Sequence, residues 1–165
     1  MNTNKVTLLF TTYHNLISYL LLYLFGHNYS HVSVSLESGT DYYYSFNKKG
    51  FRKEYPKRHK QRRKNKSFSI QFTVSQEKYD ILKHKIESCE KKGKNLKYSS
   101  FGVFLCLFHI SHHFENSYFC SRFVAESLQE MGFDLKKDPS LYLPDQIIDE
   151  MIAHNCLEVV QRNPL

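Results

Sequence analysis

The segment HVSVSLE-SGT-DYYYSFN, residues 31–47, constrains the fold more than any other part of the chain. Two runs rich in β-branched and aromatic residues flank the turn formers Ser38-Gly39-Thr40, and so short a connection permits only an antiparallel pair. With the turn centred on Gly39, His31 faces Asn47 and Ser33 faces Ser45; a one-residue slip presents Tyr44 and Phe46 instead. VTLLFTT (6–12) and SFSIQFTVS (67–75) add two strands, the second with a clear period of two.

Helix signals lie between and after these strands. The stretch from 16 to about Phe25 is helix-compatible, and Gly26 and Asn28 can stop it. Ser75 caps a helix whose apolar stripe is Tyr79, Leu82, Ile86 and Cys89, ending at Gly93. Asn116 or Ser117 caps another running to Gly132. Pro144 opens a third, with Ile147, Ile148, Met151 and Ile152 inward. LEVVQR (157–162) supplies a closing strand. Helices mixed with a largely antiparallel sheet predict an α+β fold, and 165 residues without a visible repeat predict one domain over 1–165.

Two apolar runs, LISYLLLYLF (16–25) and FGVFLCLFHI (101–110), are about half the length a membrane span needs and predict core helices, or else a surface for acyl chains or a bilayer edge. Charge is uneven. The run that opens on Lys48 and closes on Lys66 holds 11 of the 23 Lys and Arg with one acid, Glu54, and so exceeds the net charge of +7 by itself. It reads as a solvated loop insert at about 48–66, available to an anionic surface. Cysteines 89, 106, 120 and 156 show no zinc-ligand spacing and are expected as reduced thiols. No export signal opens the chain, so the cytoplasm is the expected compartment, peripheral to a membrane if the apolar runs lie on one.

Chemistry enters with two residues. Cys120, near the start of a predicted helix and on its apolar face, meets free amides and the positive end of the helix dipole, which favour a thiolate and can stabilise a neighbouring oxyanion. His31 begins a strand whose alternation places it with Ser33 and Ser35 opposite Val32, Val34 and Leu36. An imidazole held there can take a thiol proton and return it to a leaving group. A third group should orient the ring, and Ser45, Asn47 and, after a slip, Tyr44 are the candidates. His109 and His113 share i,i+4 spacing, but no HExxH glutamate lies between them and no metal or cofactor is assigned.

SHVSVSL, then YYYSFN, then YFCSRFVAESLQEMG together resemble the permuted papain-like cysteine hydrolases, the NlpC-type relatives that include YiiX-like and lecithin:retinol acyltransferase-like proteins. The histidine strand precedes the cysteine helix here, which is the permuted order. The resemblance spans nearly the whole chain apart from the basic insert. It implies a permuted papain-like fold with Cys120 as nucleophile, His31 as base and Ser45 at the third position, where YiiX-like proteins have glutamate. Its first implied substrate is an amide bond in a peptide, a cell-wall-type peptide or an isopeptide. The same covalent chemistry on lipids, as thioesterase or acyltransferase at an anionic membrane, is the second. A catalytically silent polyanion-binding module is the third, although the run at 48–66 offers only Phe51 and Tyr55 for base stacking.

Overall fold

The computed structural model describes residues 3–13, 16–37, 41–58 and 66–165, apart from the side chain of residue 17. The predicted turn at 38–40, His14, Asn15 and residues 59–65 of the basic run lie outside the described residues.

The elements follow in the order β1 (Thr3–Thr11), α1 (Leu16–Tyr19), continuing as a π-helical turn over Leu20–Leu24, β2 (His31–Ser35), β3 (Tyr43–Asn47), β4 (Gly50–Glu54), β5 (Ser67–Ser75), α2 (Gln76–Lys92), β6 (Lys97–Tyr98), α3 (Ser100–Leu107), β7 (Ser117–Tyr118), α4 (Cys120–Glu130), α5 (Pro144–Ala153) and β8 (Val159–Arg162). Six strands form one sheet in the order β4-β3-β2-β1-β5-β8, with every neighbouring pair antiparallel. β6 and β7 make a separate parallel pair. The fold is thus α+β with a mainly antiparallel sheet. Val34 lies opposite Tyr44, the register expected for a turn centred on Gly39.

Alternation divides the sheet into two unlike faces. Val6, Leu8, Phe10, Val32, Val34, Tyr44, Phe46, Phe51, Ile70, Phe72 and Val74 join one core with Leu82 and Ile86 of α2, Phe123 and Leu128 of α4, and Ile147 and Met151 of α5. Each large side chain so enclosed contributes about 1.5–3 kcal/mol. The opposite face carries small hydroxyls, among them Thr7, Thr11, Ser33, Ser35, Ser45, Ser67 and Ser69, all buried. Ser75 caps α2 by accepting from the Lys78 amide, and Pro144 is the first residue of α5.

Four expectations change. The basic run is not wholly a loop insert. Residues 50–54 form an edge strand, because the two-residue turn Lys48-Lys49 returns the chain beside β3 with Asn47 opposite Gly50, and Phe51 packs on Phe46. The two apolar runs are not core helices. In 16–25 Leu21 is buried but Leu16, Tyr23 and Leu24 are exposed, and in α3 Phe101 and Phe104 are exposed. The helix expected from Asn116 or Ser117 starts later. Asn116 adopts a left-handed φ of 54°, and Ser117–Tyr118 is extended against Lys97–Tyr98, so Cys120 is the first helical residue. In α5, Ile147 and Met151 point inward, whereas Ile152 is exposed.

Candidate active site

Cys120 opens α4 behind Phe119, whose side chain offers no acceptor to cap the first turn. The amides there remain available to another acceptor. The Ser121 amide and the Val32 amide of β2 both donate toward the Cys120 sulfur. A buried arginine fixes the approach to this turn: Arg122 donates from Nη1 to the carbonyls of Phe114 and Ser117 and pairs through Nε with Glu126 at 2.8 Å. The irregular segment before the thiol is thereby tied to the helix that carries it.

His31, at the start of β2, lies beside the Cys120 thiol, close enough for each group to act on the acidity of the other. Its Nε2 lies 2.9 Å from Oε2 of Glu54, the last residue of β4. That contact engages Nε2 and leaves Nδ1 as the second ring nitrogen. Both side chains belong to the hydroxyl face, on strands with β3 between them. Glu54 is 6% exposed and His31 3%, so their interaction is little screened by water. The carboxylate also accepts hydrogen bonds from Asn47 Nδ2 at 2.7 Å and from the Tyr13 hydroxyl at 3.2 Å. The Tyr13 ring also stands edge-on to the imidazole, centroids 4.5 Å apart. The ring is therefore held by a carboxylate on one side and an aromatic edge on another.

The electrostatics follow from these contacts. Burial alone draws the His31 pKa down, but the Glu54 carboxylate and the bond with Cys120 outweigh it and raise the pKa to about 9. Burial pushes the Cys120 thiol up, yet the hydrogen bond and charge of His31, with the Val32 and Ser121 amides, leave it below the ordinary thiol value. The two shifts favour a thiolate–imidazolium pair. The other cysteines behave oppositely: burial raises Cys89 to about 11, Cys106 to about 12, and Cys156 by a smaller amount.

Of the residues singled out in the sequence, Cys120 and His31 meet and Ser45 does not join them. Ser45 Oγ donates to the Val32 carbonyl at 2.7 Å, so its hydroxyl serves the sheet backbone instead of the imidazole. Asn47 reaches the site but holds Glu54, and Tyr44 packs in the core on the other face. Ser33, expected on the same face as His31, is buried there and donates to the Leu9 carbonyl at 3.4 Å. His113 pairs with Asp138 at 2.9 Å. Glu54, Tyr13 and Arg122 were missed. The available signal for Glu54 was the sequence YSFN-KK-GFRKE itself: a strand, a two-residue turn, and a second strand opening on Gly-Phe. Against known proteins, no family model matches the chain and a search of the curated proteins finds no relative.

Proposed function

We propose that this chain is a cysteine hydrolase of the permuted papain-like type, acting on a carbonyl carbon through Cys120, His31 and Glu54. The observation that carries this reading is the buried, continuous chain of contacts from thiol to imidazole to carboxylate. The Cys120 thiolate attacks the carbonyl, and the resulting oxyanion lies near the uncapped amides of the first turn of α4. His31, protonated, gives its proton to the leaving amine as the C–N bond breaks, and an acyl-cysteine remains. Neutral His31 then takes a proton from water, hydroxide adds to the acyl carbon, and the thiolate departs with the carboxylic acid released. Glu54 stabilises the imidazolium by charge, which Ser45 in that role would not do. The amide as substrate is inferred from the family resemblance. A lipid ester or thioester would be attacked in the same way, and the exposed apolar side chains of α1 and α3 favour that as a second reading.

Acetyl transfer from p-nitrophenyl acetate tests the chemistry. One acetyl group is expected on Cys120 by intact mass and peptide mapping, with none there in Cys120→Ala. In His31→Ala, acetylation is expected to be slower by about 10²–10⁴-fold. Equal acetylation of all four cysteines, or a rate unchanged by His31→Ala, overturns the proposal.

A further inference from the structure

The apolar runs find little use in the core or in the proposed chemistry. Of the thirteen exposed large apolar side chains among the described residues, nine lie at 16–25 and 101–110. Leu16, Tyr23 and Leu24 are 72–75% exposed, and Phe101, Phe104 and Phe108 are 51–59% exposed. The two segments form one structure: Leu21 of the π-helical turn packs with Val103 and Cys106 of α3, and the same small cluster includes Phe119, the neighbour of Cys120. Soluble surfaces normally scatter such side chains singly.

Charge identifies what fits this face. No Asp or Glu occurs between residues 91 and 114, and Lys94 and Lys97, just ahead of α3, are exposed. Gly50 packs so closely on the Leu96 carbonyl that a Cβ would lie 2.6 Å from that oxygen, and this contact brings the Lys48-Lys49 turn to the same edge. An aromatic and leucine surface with tyrosine hydroxyls among it and ammonium groups beside it is complementary to the interface of an anionic bilayer. A second copy placed symmetrically on the face would bring like charges together. α3 covers eight residues, about 12 Å, so contact along the surface, not a crossing, suits its length.

We propose that α1, its π-helical turn and α3 form a docking face for an anionic lipid surface, in which the aromatic side chains enter the interface and Lys48, Lys49, Lys94 and Lys97 engage headgroups. Docking is independent of the proposed hydrolysis and stands whatever carbonyl the thiol attacks.

The test is co-sedimentation of the full chain with phosphatidylcholine vesicles, with and without phosphatidylglycerol. Binding to the mixed vesicles is expected, with the double variant Phe104→Asp/Phe108→Asp lowering partition by about tenfold or more, since two aromatic side chains that would enter the lipid interface are replaced by charges. Lys94→Glu/Lys97→Glu is expected to remove the preference for phosphatidylglycerol and the sensitivity to salt. Retained alkylation of Cys120 shows that these surface variants are folded, and Cys120→Ala is expected to bind vesicles as the native chain does. Docking is overturned if the native chain stays in the supernatant with mixed vesicles, or if the aspartate variant binds unchanged. It is overturned equally by a lipid-free dimer that the aspartate variant abolishes, which assigns the face to a second copy.

Discussion

Cys106 and Cys120 are both free, both on helices and nearly equal in burial, at 3% and 5% exposed. Their acidities nevertheless move in opposite directions. Cys106 lies inside α3, where the amides are committed to the helix, and burial governs its thiol. Cys120 is the first residue of α4, so amides and an imidazolium meet its sulfur. Enclosure makes a thiol inert, and reactivity requires donors and a cation placed at the same point.

The largest expected effect tests this contrast directly. At neutral pH, iodoacetamide is expected to alkylate Cys120 in the folded protein while Cys106 reacts only on unfolding, because a thiol with a pKa of about 12 has about 10⁻⁵ of its population as thiolate at pH 7. His31→Ala should turn Cys120 into a second Cys106. Rapid labelling of both cysteines in the native state would erase the distinction.

A smaller change sharpens the role of the carboxylate. Glu54→Gln keeps the shape but removes the charge that raises His31, so the thiolate–imidazolium pair should be less populated, and the alkylation rate at pH 7 should drop about tenfold and recover as pH rises toward the ordinary thiol range. The sign for stability is fixed by the same shift. A folded-state pKa raised from 6.5 to about 9 gives stabilisation that is fully present below 6.5 and lost as pH rises through about 9. Urea titrations across that window should show the decline in the native chain and a weaker one in Glu54→Gln.

The smallest effect separates the two candidates for the third position. Ser45→Ala leaves the Val32 carbonyl without its side-chain donor and is expected to cost about 1 kcal/mol in urea unfolding, with the alkylation profile of Cys120 unchanged. A shifted pH profile in that variant would return Ser45 to the site.

Much of the scaffold was legible because local signals agreed with tertiary demands. SFSIQFTVS alternates and lies against β1 with its even-numbered side chains Phe68, Ile70 and Phe72 toward the core, Ser75 caps α2, and Pro144 begins α5. His31 and Cys120 were legible because each combines a reactive residue type with an element that holds it rigid. Glu54 was not. Eleven cations between 48 and 66 made that run read as solvated polymer, although Gly50 and Phe51 there had the form of a returning strand. Burial of the apolar runs was misread for a different reason. Hydrophobic periodicity specifies which side chains leave water in a helix packed on a core, but 16–25 and α3 share a small cluster, and among the described residues many of their apolar side chains are exposed.

The acid that holds His31 lies within the same nineteen residues that give the chain its excess of positive charge. Polycation and candidate site are therefore not separable modules. Trimming 48–66 as a dispensable insert would remove an edge strand and the imidazole's counter-ion together, and any change in Cys120 reactivity would be mistaken for lost electrostatic attraction. A cut that spares both must begin beyond Arg58, after the short 3₁₀ turn Pro56–Arg58 that follows β4.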